Sequence, residues 1–209
     1  MTEEELDDLF DAICEGDRDT VVSLVETAIN NKDDVSVLLN EAMIPAMGEV
    51  GNRFSENIIF VPEMLVAARA MQGGINLIEP ILANSGHEPI AKVAVGSVKG
   101  DLHDIGKNLV IMMLKGAGFQ VEDLGVDVDI PMFEEAVNNG YKILCLSALL
   151  TTTKDEMRTV INHFKDWKNV KIVIGGAVIT QEFADIIGAN AFGADASEAV
   201  KAVHSCIAA

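Results

Sequence analysis

The spacing of apolar residues changes once along the chain, and that change limits what the chain can fold into. Up to about Gly86 apolar residues recur at helical intervals, as in Leu6, Leu9, Phe10 and Ile13 and again in Val21, Leu24, Val25 and Ala28. From Ile90 the pattern becomes short β-branched runs separated by helical windows, the grammar of βαβ units and a parallel sheet. Helices are expected at about 3–14, 17–30 and 33–50, the last stopping near Gly51, and from Pro62 towards Leu82. Strands are expected at 92–98, 120–124, 143–147 and 171–174, with a weaker fifth at 191–192. The helices between and after them should span about 104–117, 130–139, 153–166, 180–187 and 195–207. The fold class is therefore α/β. A four-helix bundle (residues 1–88) precedes a doubly wound, parallel, five-stranded Rossmann-like (flavodoxin-like) domain (residues 89–209). The boundary falls in the turn-rich stretch Asn84-Ser85-Gly86-His87-Glu88-Pro89.

Composition removes several function classes. With 33 acidic against 15 basic side chains the formal charge is −18, which repels nucleic-acid phosphates, and the basic residues form no stripe. No apolar run approaches the ~20 residues that cross a bilayer. The start Met1-Thr2-Glu3-Glu4-Glu5 lacks the basic and apolar regions of a signal peptide, so a cytoplasmic protein without a membrane partner is expected. Cys14, Cys145 and Cys206 are odd in number and far apart, which fits reduced thiols and gives no zinc spacing.

In doubly wound sheets ligands bind beyond the carboxyl ends of the strands, at the point where strand order reverses. After the first strand comes Gly100-Asp101-Leu102-His103-Asp104-Ile105-Gly106-Lys107-Asn108. This loop lacks G-x-G-x-x-G, and as a P-loop it fails twice: five residues separate Gly100 from Gly106, and Asn108 stands where a hydroxyl is needed. It does place a histidine two residues after a carboxylate, the pairing that fixes the tautomer of a metal-ligating imidazole. A solvated loop histidine beside a helix-capping aspartate is the alternative at this stage. The third strand leads into Ser147-Ala148-Leu149-Leu150-Thr151-Thr152-Thr153, and the fourth into Gly175-Gly176-Ala177, where backbone can approach a ligand. Each has a local explanation, N-capping for the threonines and a tight turn for the glycines. Together they line one crevice with room for something long and only partly polar.

These residues resemble the cobalamin-binding corrinoid proteins of methyltransferase systems, and the corresponding module of cobalamin-dependent methionine synthase. The D-x-H-x-x-G motif stands as Asp101–Gly106, S-x-L as Ser147-Ala148-Leu149, and the paired glycines as Gly175-Gly176. The resemblance implies cobalamin (methylcobalamin or a related corrinoid) bound base-off, with His103 as the lower ligand to cobalt. Asp101 would hydrogen-bond His103, and Thr153 would hydrogen-bond Asp101. Asp104, Ile105 and Gly106 complete the motif's contribution to the cofactor site. The withdrawn nucleotide tail would lie near Ser147, Leu149, Thr151, Gly175, Gly176 and Ala177, with Asp195 close by. The helical half would cap the upper corrin face through Phe54, Val61 and Met64, with Phe60 as a substitute.

The same resemblance implies a carrier rather than a complete enzyme. No other nucleophile or general-base arrangement stands out: His87 lies in the linker, and His163 and His204 lie in helical windows. A substrate-specific methyltransferase would load the methyl group, and a second methyltransferase would pass it to tetrahydrofolate or coenzyme M. A reductive activator would be a further partner, and the stretch 84–89 would be the hinge of the cap. One alternative is the cobalamin-binding subunit of an adenosylcobalamin-dependent mutase, which shares D-x-H-x-x-G but lacks the preceding cap. Another is a cobalamin-sensing regulator, which would need a DNA-binding element that the acidic charge disfavours. The methyl donor is left open.

Overall fold

The computed structural model describes residues 1–84 and 89–207. Residues 1–89, joined by 116–118, form one structural unit, and the rest of the chain from 90 onward forms the other. Residues 85–88 of the expected linker and hinge lie outside the described residues.

The first unit is helical: α1 (Glu3–Glu15), α2 (Arg18–Asn31), α3 (Val35–Val37), a π-helical segment (Leu38–Met43), α4 (Ile44–Ser55) and α5 (Val61–Asn84). A capping box between Thr2 and Glu5 starts α1, and Gly16 ends it in the left-handed region at φ 75°. Asp17 caps α2 through the Thr20 N–H. Leu9, Ile13, Val21, Val25, Met43 and Ile78 are wholly buried and supply much of the core.

The helix expected at 33–50 differs from that reading in two ways. It is interrupted by the π segment, because Pro45 has no N–H to donate to the Glu41 carbonyl, and the wider π turn relieves the clash of its ring with that carbonyl. It also runs through Gly51, which is buried, so the small residue serves packing there rather than termination. The chain turns only at Asn57, at φ 58°.

The second unit alternates β1 (Lys92–Val98), α6 (Ile105–Gly116), β2 (Gln120–Val128), α7 (Ile130–Asn138), β3 (Ile143–Ser147), α8 (Asp155–Phe164), β4 (Lys171–Gly175), α9 (Gln181–Ile187), β5 (Ala191–Gly193) and α10 (Ala196–Ile207). All pairings are parallel, in the order β2-β1-β3-β4-β5. Strand order therefore reverses between β1 and β3, as the flavodoxin-like reading requires. Four buried residues of β1, from Val93 to Gly96, pair in register with Ile143–Leu146 of β3. Phe133, Leu144 and Met157 are fully buried against the sheet. The second strand outruns its expected end at Leu124: Gly125, at φ 84°, pairs with Gly96 of β1 between two shifts of register rather than stopping the strand, and Val128 pairs with Val98 beyond the second shift. Among the described residues no helix is long and apolar enough to cross a membrane.

Candidate functional site

The β1 strand delivers its chain end to the reversal point, and the first buried polar side chain beyond it is Asp101, which has no exposed surface. A buried carboxylate is costly unless its lone pairs are filled, and here they are. Oδ2 accepts the Thr153 hydroxyl at 2.6 Å, the Leu149 N–H at 2.8 Å and the Leu150 N–H at 3.3 Å. Oδ1 accepts the His103 N–H at 3.1 Å and faces the ring Nδ1 of the same residue at 2.8 Å. Burial by itself would push the Asp101 carboxyl up. The Thr153, Leu149 and His103 donors outweigh it and hold the group well below the usual carboxylate range.

An ionised carboxylate only accepts hydrogen bonds, so the proton shared with His103 belongs to Nδ1, and in the neutral ring Nε2 keeps a free lone pair. The His103 side chain is 49% exposed, so that lone pair is presented outward from a ring whose other edge is anchored. Around it the surface is apolar: Leu102 is 71% exposed, Ile105 81%, and Leu149 and Leu150 about 40% each. Gly106 lies in the first turn of α6, and no protein atom comes within 4 Å of the place a Cβ would occupy. Nothing in the polypeptide requires glycine there, although glycine weakens a helix by about 1 kcal/mol relative to alanine. A single nitrogen donor, exposed apolar side chains in the loops that hold it and open space at Gly106 fit a large planar metal complex that brings its own equatorial ligands. Among the described residues no group of three or more His, Cys, Asp or Glu side chains could hold a bare metal ion.

Three bracing residues escaped the sequence reading. Ser97, fully buried in β1, donates to the His103 carbonyl at 2.7 Å. Asp127 accepts the Gly100 N–H at 2.8 Å, and its own N–H bonds the Asp101 carbonyl. Lys107 is buried and bridges Asn108 and Asp123, while Asp123 also accepts the Gly125 N–H. The signal for Lys107 lay in the failed P-loop comparison, since a lysine one residue after Gly106 needs a partner. That partner, on β2, has no fixed spacing from it.

The remaining expected residues separate into two groups. Ser147 stands opposite both Ser97 and Gly175 in the sheet, so these strand ends adjoin. Gly176, at φ 130°, is explained by backbone: a Cβ there would lie 2.0 Å from the Ala148 carbonyl oxygen. The close approach that the glycines permit is thus between the β3 and β4 ends themselves. Asp104, Thr151 and Ala177 are exposed. Asp195 caps α10, taking the Glu198 N–H at 2.8 Å. In the helical unit Phe60 and Val61 are exposed and Phe54 is partly buried, whereas Met64 is fully buried. Of the other histidines, His163 pairs with Glu134 and His204 packs edge-on against Phe119. His87 is outside the described residues.

Comparisons with known proteins show the family. A family model described as a B12 binding domain matches residues 91–204, and a second B12 binding domain model matches residues 5–79. The dimethylamine corrinoid protein 2 of Methanosarcina acetivorans is 38% identical over 203 residues, covering 95% of this chain and 94% of the relative. The crystal structure of the methanol:cobalamin methyltransferase complex MtaBC from Methanosarcina barkeri matches with a TM-score of 0.85 at 31% identity, over 100% of this chain and 81% of that one. A cobalamin-binding protein from Desulfitobacterium hafniense matches with a TM-score of 0.80 at 28% identity, over 96% of this chain and 98% of that one. These relatives disfavour a mutase subunit. The chain belongs to the B12-binding corrinoid proteins of methyltransferase systems, and its cofactor is a cobalamin or related corrinoid.

Proposed function

We propose that this chain is a methyl carrier that holds its corrinoid base-off, with His103 Nε2 as the lower ligand to cobalt. The observation that carries the reading is the buried Asp101 carboxylate, which is filled by Thr153, Leu149 and Leu150 on one oxygen and grips His103 Nδ1 with the other. When bound, a corrinoid supplies a cobalt centre that accepts and releases a methyl group. Asp101 fixes the tautomer of His103 and raises the basicity of its outward nitrogen. Thr153 and the two backbone N–H groups keep that carboxylate ionised and oriented. Ser97 holds the His103 backbone, so the ring's position is set from both ends. The adjoining ends of β3 and β4, at Ser147, Gly175 and Gly176, are the proposed berth of the nucleotide tail.

The partners follow from the carrier role. We assign loading to a substrate-specific methyltransferase, delivery to a second methyltransferase acting on tetrahydrofolate or coenzyme M, and rescue of oxidised cobalt to a reductive activator. Residues 1–88 are proposed as a cap domain and 89–209 as the cofactor domain. The test is electron paramagnetic resonance of protein uniformly labelled with heavy nitrogen, loaded with unlabelled cobalamin and reduced by one electron. Hyperfine splitting that follows the protein's isotope supports His103 ligation, and its loss in His103→Ala assigns it. Splitting that follows the cofactor's isotope instead overturns the base-off reading.

A further inference from the structure

Among the described residues four that are not glycine have a positive φ, and of these Asp127, at 53°, alone lies inside a strand. L residues rarely adopt this conformation, and it persists where the surroundings fix it. The register shows how it arises: while β1 passes from Gly96 to Val98, β2 passes from Gly125 to Val128, one residue more, and bulges. A bulge re-aims a side chain that would otherwise follow the strand's alternation. Here it sets Asp127 against the turn that follows β1. That turn is closed by the Asp101 N–H on the Val98 carbonyl at 3.0 Å, with Gly100 at φ 80°, the type II form. The Gly100 N–H takes no part in the closing bond and needs another acceptor. Asp127 supplies it: Oδ1 accepts that N–H at 2.8 Å, and the Asp127 N–H donates to the Asp101 carbonyl at 2.9 Å. The Lys99 ammonium lies 3.6 Å from the same carboxylate oxygen.

We infer that Asp127 is a positioning residue for His103, acting through the Gly100–Asp101 backbone; the inference rests on the ligation proposed above. The Asp101 carboxylate is tied to the loop after β3 by Thr153 and Leu149, and Ser97 of β1 holds the His103 carbonyl. Neither hold fixes the main chain that carries Asp101. Without Asp127 that main chain would be free to pivot about its own tethered carboxylate and to take the bonded imidazole with it. It would also be free to enter the type I form, which differs by a flip of the Lys99–Gly100 peptide and turns the Gly100 N–H away. Asp127 opposes both motions with one bond at the start of the Gly100–Asp101 pair and one at its end. The turn bears on Thr153 as well, since a Cβ at Gly100 would lie 3.6 Å from Thr153 Cγ2. With its side chain 46% exposed, Asp127 adds little to the core, so its bonds serve placement.

The test uses the full chain and two variants. Asp127→Gly deletes the carboxylate and adopts φ 53° freely, so the fold should be kept, as its urea midpoint checks. Asp127→Asn keeps an acceptor oxygen and tolerates the left-handed region. One readout needs no variant: in the cofactor-free wild-type chain the Gly100 amide should exchange with deuterium about tenfold or more slowly than an unstructured glycine amide. In Asp127→Gly the His103 amide should exchange about tenfold faster, with Leu144 of β3 unchanged. Labelled with heavy nitrogen, loaded with cobalamin and reduced by one electron, Asp127→Gly should show weakened or heterogeneous splitting from the protein's nitrogen and hold cobalamin about tenfold less tightly. Asp127→Asn should stay near the wild type on each measure. An unprotected Gly100 amide, splitting in Asp127→Gly as uniform as in the wild type, or an asparagine variant as impaired as the glycine one overturns this inference and leaves His103 ligation standing. Splitting that follows the cofactor's nitrogen in the wild-type chain overturns the ligation and this inference with it.

Discussion

The Asp101 carboxylate, beyond the end of β1, accepts the backbone N–H of Leu149, beyond the end of β3, at 2.8 Å. One buried charge thus ties together the two loops that flank the reversal in strand order, and the histidine presented there inherits the rigidity of both strands. Positioning of this kind is cheap for a parallel sheet: strand ends are already adjacent, and backbone N–H groups in the following loop supply donors without further side chains.

Thr153 gives the shortest of the bonds to that carboxylate, at 2.6 Å, from a position that is 7% exposed. Thr153→Val keeps the shape and deletes the donor, so the cofactor-free protein should lose about 2 kcal/mol, the worth of a hydrogen bond to a charged group. Thr153→Ser should retain most of it. Urea denaturation of the three proteins checks the ordering, and equal stability of the valine and serine forms would refute it. Cobalamin affinity should fall in the same order, since outer partners of a ligating histidine typically contribute about 10–100-fold.

The strand-end rule put the Asp101–His103 loop and the threonine run 151–153 along one crevice, and it was the family resemblance, not spacing, that singled out Thr153 as the partner of Asp101. Sequence alone could not supply Leu149 and Leu150 as donors, since their contribution is backbone and carries no side-chain signature. The π segment at 38–43 and the irregular β2 were misread for one reason. Pro45, Gly51 and Gly125 are punctuation in a local reading, but each is absorbed by its surroundings: a widened turn, a packed helix face and a strand irregularity. The paired glycines were seen, but their cause was not, because the oxygen that excludes a Cβ at Gly176 belongs to Ala148, 28 residues earlier.

Gly106 separates fold from function. Alanine there meets no protein atom within 4 Å and lies in the first turn of a helix. Gly106→Ala should therefore raise the stability of the cofactor-free chain by about 0.5–1 kcal/mol. The same methyl group should obstruct a corrinoid seated over His103 and lower its retention on desalting. Thermal melts of the apo protein and absorbance of the reconstituted protein read the two effects separately. A variant that is stabilised and binds cobalamin normally would remove the steric rationale for glycine at this position.

Lys107 and Asp123 are joined by an ion pair whose ends differ in exposure, the lysine side chain at 2% and the aspartate at 47%. Removing the two partners should therefore have unequal costs. After Lys107→Met the aspartate can hydrate, and the methionine fills the buried channel, so a loss of about 1 kcal/mol is expected. After Asp123→Asn the ammonium stays buried with only Asn108 and a neutral amide, and the loss should approach about 3 kcal/mol. Chemical denaturation of both single variants tests the asymmetry; equal losses would show that the pair is solvated from both ends.

Cys14 gives a prediction tied to pH. Its thiol is packed against α4, with Sγ 3.7 Å from the Ala46 carbonyl oxygen, and burial pushes its titration from 9.0 up to about 11. The thiolate is the reactive form, so at pH values below both figures the folded chain holds roughly a hundredfold less of it at this position than the unfolded chain does. Alkylation of Cys14 by iodoacetamide should be slowed accordingly and recover in urea. The sign for stability follows from the same shift. Below 9.0 the group is neutral in both states and its favourable burial is fully present. Between 9.0 and about 11 the unfolded chain ionises while the folded chain resists, so stability falls as pH rises through that window. Replacement of Cys14 by alanine should flatten this part of the stability profile, measured by urea midpoints from pH 8 to pH 11 in steps; an unchanged slope in the variant would assign the loss to other groups.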